Sequence, residues 1–354
     1  MRWIFIIALL TGDQMSHAAT VVFVSMAPEQ KIQSFKLNEA SGELTPVEMY
    51  SVDGTPGSLC CDPQRKTLFA SLRSTNKLAA YRIDQSTCRL SAINSVPLSE
   101  GANAAFVGTD RSGIWLMSAS YAAGTVAVHR IAEGGRIETP AVQTIVTAKT
   151  AHCIALSRDN TRVLIPHVSP NLIYLFRLDG NNGRLSEEQR IPGGTENAGP
   201  RHLVFHSRLD IAYTSDEQGN SVTVYQATSS GMAAVQTLST LPEEFHGKNS
   251  TAEIKVHPSG RFVWVSNRGL DSLAGFSIDA DNGRLTAIGQ TATEKTPRSF
   301  EIDPSGRFIF GAGEGSGRLA VFRVESESGQ LQRIHTYELG KSLTWVMAVR
   351  TGDD

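Results

Sequence analysis

The chain has 354 residues, with 33 lysines and arginines against 35 aspartates and glutamates and a formal net charge of −2. Scattered, nearly balanced charge of this kind argues against a nucleic-acid partner. The 31 glycines and 14 prolines, without any long helical period, point to one all-β body and not to a helical bundle.

The first 19 residues stand apart from the rest of the chain. Arg2 precedes the apolar run WIFIIALL at 3–10, then a polar stretch and Ser16-His17-Ala18-Ala19. The pattern resembles a secretory signal with a small-x-small cleavage site, which makes 20–354 the mature domain and its compartment periplasmic or extracellular. The alternative is a cytoplasmic chain with a misassigned start or an unstructured leader. The apolar run is too short to span a bilayer, so no stable membrane insertion is expected.

Next come TVVFVS at 20–25 and KIQSFKLN at 31–38, which alternate as strands do. A repeating unit then begins. Its turn falls at Asp62-Pro63, Asp110-Arg111, Ser157-Arg158, His206-Ser207, His257-Pro258 and Asp303-Pro304, at steps of 48, 47, 49, 51 and 46 residues. The clearest copies are HPSGRFVWVSN at 257–267 and DPSGRFIFGAG at 303–313. Each copy continues into a period-two run such as NKLAAYRID at 76–84 or NLIYLFRLDG at 171–180. Four short strands with their turns fill that length, so the repeat predicts a β-propeller. The segments at 20–38 then lack a first strand, which LTWVMAVR at 343–350 supplies. Pairing the two ends gives a seven-bladed ring with no free sheet edge.

Four cysteines, Cys60, Cys61, Cys88 and Cys153, show no metal-ligand spacing and read as buried thiols. For an exported chain a bridge from Cys88 to Cys60 or Cys61 stays open.

Stacking the repeats on the turn residue brings chemistry into register. Five positions before it stand Gly57, Ala105, His152, Arg201, Ala252 and Arg298; eleven after it stand Arg73, Tyr121, Val168, Glu217, Arg268 and Glu314. The first set opens the innermost strand and the second ends its antiparallel neighbour, so both rings crowd one mouth of the central channel. Convergent charge there predicts a binding or catalytic pocket, and its arginine excess favours an anionic ligand. Pairs such as Glu217 with Arg268 could instead only lock blades together. Tyr121 is either structural or pocket-lining. Trp345, in the closing strand, suits core packing or a sugar-ring contact. His206 and His257 replace Asp or Ser at the turn and are read as backbone hydrogen-bonders, and His202 as facing away from the channel. No serine elbow, zinc signature or other cofactor motif is visible, although a cation held by Glu217, Asp216 and Glu314 is left open.

The segments GPRHLVFH at 199–206, TPRSFEIDPSGRF at 296–308, SYAAGTVAVHRI at 120–131 and AHCIALSRDN at 151–160 resemble the seven-bladed propeller lactonases. That family includes bacterial propeller-type 6-phosphogluconolactonases and the fungal carboxymuconate lactonizing enzyme. The resemblance implies a catalytic set of His152, Arg201, Glu217 and Arg298, with Arg73, Tyr121, Arg268, Glu314 and Trp345 as candidate substrate contacts and no cofactor. It implies hydrolysis of a sugar lactone, with a small anionic lactone as the partner, by acid and base help to water and with arginines on the oxyanion or the substrate anion. Asp216-Glu217 stands where the family has Asn-Glu, and Gly313-Glu314 where it has Asn-Gln. Two other functions fit the same features: an exported propeller that binds without turnover, and the reverse, lactone-forming chemistry.

Overall fold

The computed structural model describes residues 18–228 and 231–352. All but Ala18 and Ala19 of the expected leader lie outside them. The repeats fold into seven antiparallel sheets of four strands each. Blade 1 runs outward from the channel as Leu343–Thr351, Ala19–Met26, Lys31–Leu37 and Leu44–Ser51. Blades 2 to 7 are each continuous in sequence, with inner strands Pro56–Cys61, Ala104–Thr109, Ala155–Leu156, Pro200–Phe205, Thr251–Val256 and Pro297–Ile302.

Burial within a blade follows from its place between two others. The second strand is covered on both faces, so Thr67–Leu72 and Phe262–Asn267 are buried at every position. The fourth strand lies at the outer edge and is half-buried or exposed after its first residue, as in Leu44–Ser51. Period two sorts apolar side chains to opposite neighbours: Val21 and Phe23 pack toward blade 2, whereas Val22, Val24 and Met26 pack toward blade 7. Among the described residues the apolar clusters accordingly fall between blades, one for each of the seven interfaces. The core is thus a ring that runs between the blades.

The ring closes as the sequence pattern requires. Phe23 pairs with Met347 and Ala19 with Thr351, whose hydroxyl donates to the Ala19 carbonyl at 3.0 Å. The strand therefore starts at Ala19, one residue before the expected domain boundary.

Side chains at the repeat turn fasten it. Asp62 accepts from the Lys66 and Thr67 amides. The two histidines do this and more: His206 Nδ1 accepts from the Arg208 and Leu209 amides, while Nε2 donates 2.9 Å to the Gly260 carbonyl of the next blade. His257 Nε2 makes the same bond to Gly306 at 2.8 Å. These are the backbone roles expected from sequence. All four cysteines are free thiols, so the Cys88 bridge is not formed.

Candidate functional site

The mouth is built by one recurring irregularity. At the start of the inner strand the register slips in blades 2, 3, 5, 6, 7 and 1, leaving an extra residue on the inner side. A bulge of this kind re-aims side chains at the edge of a sheet. In blades 5 and 7 the inserted residues are Arg201 and Arg298, between Pro200 and His202 and between Pro297 and Ser299.

Blade 4 reaches the same place differently. The expectation that His152 opens the inner strand is corrected: regular pairing starts only at Ala155, and His152 lies between it and an isolated bridge of Ala151 to His167. The cause is Pro166 on the neighbouring strand, which accepts from the His152 amide at 3.1 Å but has no N–H to return.

Glu217 sits between two guanidiniums. Its Oε2 lies 3.0 Å from Arg201 Nε and its Oε1 3.1 Å from Arg268 Nη2, so the pair suspected of locking blades is present. The Arg201 N–H is not aligned on that oxygen, and its Nη1 is buried without a hydrogen-bond partner among the described residues. Arg201 is 1% exposed. Burial, then the charges of Arg298 and Arg268, pull its pKa down to about 9, which leaves it cationic at neutral pH. Arg298 lies 3.7 Å from Glu314, and Arg73 donates to Asn103 Oδ1 at 2.7 Å. Four guanidiniums thus share the mouth with two carboxylates.

His152 stands beside this group. Its ring meets Tyr121 edge-on with centroids 5.6 Å apart. Burial, followed by the charge of Arg201, holds His152 well below the usual histidine pKa, so it is neutral at neutral pH. Burial and then Glu217 raise the Tyr121 hydroxyl above its usual value. The sequence-selected residues His152, Arg201, Glu217, Arg298, Arg73, Tyr121, Arg268 and Glu314 are therefore within contact or electrostatic reach of one another. Trp345 is not at the rim. It is 7% exposed and lies deeper in the channel, against Phe106 and His202 at 5.7 and 5.9 Å.

One sequence reading is overturned here and one open alternative is resolved. The bulge at Arg201 reverses the parity of its strand, so His202 does not face away: its Nε2 lies 3.2 Å from His152 Nδ1 and its Nδ1 2.7 Å from Glu253 Oε1. Asp216 does not join Glu217 and Glu314 in a cation site, because Thr214, Ser221 and Thr223 donate hydroxyls to its buried carboxyl. Glu253, Lys255 and Glu301, the last two paired at 3.0 Å, are channel charges that the sequence reading missed. They occupy the fourth and second positions before the turn, one and three places beyond the set that was stacked.

A family model described as "Lactonase, 7-bladed beta-propeller" matches residues 19–348. The chain belongs to the seven-bladed propeller lactonase family. It is 31% identical over 283 residues to the 6-phosphogluconolactonase of Yersinia enterocolitica, covering 79% of this chain and 83% of that one. The counterpart from an Enterobacter species is 30% identical over 281 residues, with the same coverage of 79% and 83%. Among solved structures, the periplasmic gluconolactonase of Pseudomonas aeruginosa superposes with a TM-score of 0.87 at 24% identity, over 95% of this chain and 100% of that one. That last likeness speaks to the fold.

Proposed function

We propose that this lactonase-family propeller hydrolyses a sugar lactone of the 6-phosphogluconolactone type at the arginine-lined mouth. The observation that carries the reading is a neutral, buried His152 beside Arg201, a buried guanidinium with an uncommitted donor. Family membership and the 6-phosphogluconolactonase relatives support it.

Hydrolysis needs a base for water, donors for the oxyanion of the tetrahedral intermediate, and an acid for the departing ring oxygen. Both oxygens of Glu217 are engaged by guanidiniums, which leaves His152 as the base. His152 takes a proton from water as the new C–O bond forms and returns it to the ring oxygen as the old one breaks. Arg201 holds the oxyanion. Arg298, more loosely paired and 22% exposed in its side chain, binds the substrate's anionic group. Glu217 orients Arg201 and Arg268.

Arg298→Ala separates these roles. It should raise KM for a phosphorylated lactone about tenfold or more, as loss of a charged hydrogen bond does, with a much smaller change for the unphosphorylated one. Equal changes in the two values would remove Arg298 from anion binding. The basic, apolar and small-residue order of residues 1–19 supports export of the protein. N-terminal sequencing of protein from the periplasmic fraction should find the leader gone; full-length protein confined to the cytosol would contradict it.

A further inference from the structure

We propose that Glu253 and His202 act with His152 as a carboxylate–imidazole–imidazole relay, in which His202 and Glu253 are positioning residues that keep the His152 proton on Nδ1 and leave Nε2 as the base. The three residues come from consecutive blades, 6, 5 and 4, and follow the channel wall. Its kinetic consequences rest on the lactonase reading; the proton positions do not.

The proton positions follow from donors and acceptors. Glu253 is 3% exposed. Burial alone would raise its pKa, but His202, Lys255 and Arg201 outweigh that and hold it at about 2. An ionised carboxylate only accepts, so the 2.7 Å contact with His202 requires the proton on His202 Nδ1. His202 is itself neutral, pulled by burial to about 4, and its Nε2 therefore carries a lone pair. The 3.2 Å contact between that nitrogen and His152 Nδ1 then needs a proton from His152. Because His152 is neutral as well, its other nitrogen, Nε2, is the lone-pair site.

The surroundings hold this arrangement. Phe106 meets the His202 ring edge-on at 5.6 Å and Trp345 packs against it at 5.9 Å, so the imidazole has apolar walls. The charged and titratable groups that face His152 are Tyr121 from blade 3, Arg201 and His202 from blade 5, and Arg298 from blade 7. The two arginines among them oppose an imidazolium at His152. Glu253 supplies the compensating charge through His202 when His152 takes up the proton from water, and its second oxygen is buried without a partner among the described residues. A carboxylate kept in so costly a place, bonded to an imidazole that is bonded to a second, has the geometry of a tautomer-fixing partner.

Nitrogen-15 NMR of histidine-labelled wild-type protein, with His152 assigned from its Ala variant, reads the proton directly. The relay requires Nδ1–H and an unprotonated Nε2 at His152 at neutral pH; Nε2–H there overturns it. In Glu253→Gln, whose side chain can also donate to His202, the His152 tautomers should mix, and kcat should fall roughly 10- to 100-fold with KM within about twofold. An unchanged tautomer and unchanged kcat in a folded Glu253→Gln protein would also overturn the relay. If wild-type protein shows Nδ1–H but opens no lactone, the lactonase reading fails and the relay stands; turnover with Nε2–H has the opposite meaning.

Discussion

His152 shows how one side chain is tuned by where the chain places it. Out of water and near Arg201, His202 and Arg298, its imidazole keeps a lone pair at pH values where an exposed histidine would be protonated. A base works only unprotonated, so activity is lost as pH falls through its pKa, and a lowered pKa moves that loss to more acid pH. The acid limb of kcat/KM should therefore lie below the ordinary histidine value of 6.5. A limb at or above 6.5 would place the base elsewhere. At this scale most of the mouth was legible: stacking the repeats selected His152, Arg201, Glu217, Arg298 and their neighbours by position alone. His202 and Glu253 were not, because strict alternation turns a residue next to Arg201 away from the channel. The backbone bulge that cancels the alternation leaves no mark in composition.

At the scale of elements, turn chemistry explains why the repeat is so visible. The PSG turns of blades 6 and 7 need a glycine in the left-handed region, and the same glycine lies under the histidine of the preceding blade. At Gly306 φ is +77°, and an added Cβ would come 2.4 Å from His257 Nε2. Gly306→Ala should accordingly cost about 1–3 kcal/mol of stability, through backbone strain and a disturbed latch. Its thermal midpoint should drop by a few degrees; an unchanged midpoint would show that the turn absorbs the methyl. The strand runs were readable because period two is enforced from both sides, with each blade covered by two others. The short inner strand of blade 4 was not, since one proline on the neighbouring strand decides it through a missing donor.

For the whole molecule, closure is what makes the site. Its residues are spread from Arg73 to Glu314, and only a ring whose last strand, Leu343–Thr351, pairs with its first brings them around one axis. Placing the apolar clusters between blades leaves that axis free to carry Glu217, Arg201, His202, Glu253, Lys255 and Glu301. Repeat period and missing first strand were enough to foresee seven blades and the pairing of the ends. They could not show how deep charge extends down the channel, because Lys255 and Glu301 find partners only across a blade interface. On the proposed function, this assembled mouth opens an anionic sugar lactone with His152 as base. Hydrolysis of fresh 6-phosphogluconolactone and unphosphorylated gluconolactone by purified protein and by His152→Ala tests this. The wild type should turn over both, the phosphorylated lactone faster, and kcat should fall about 100-fold or more in the variant. Wild-type protein that accelerates neither lactone, or a variant that keeps full turnover, would contradict it.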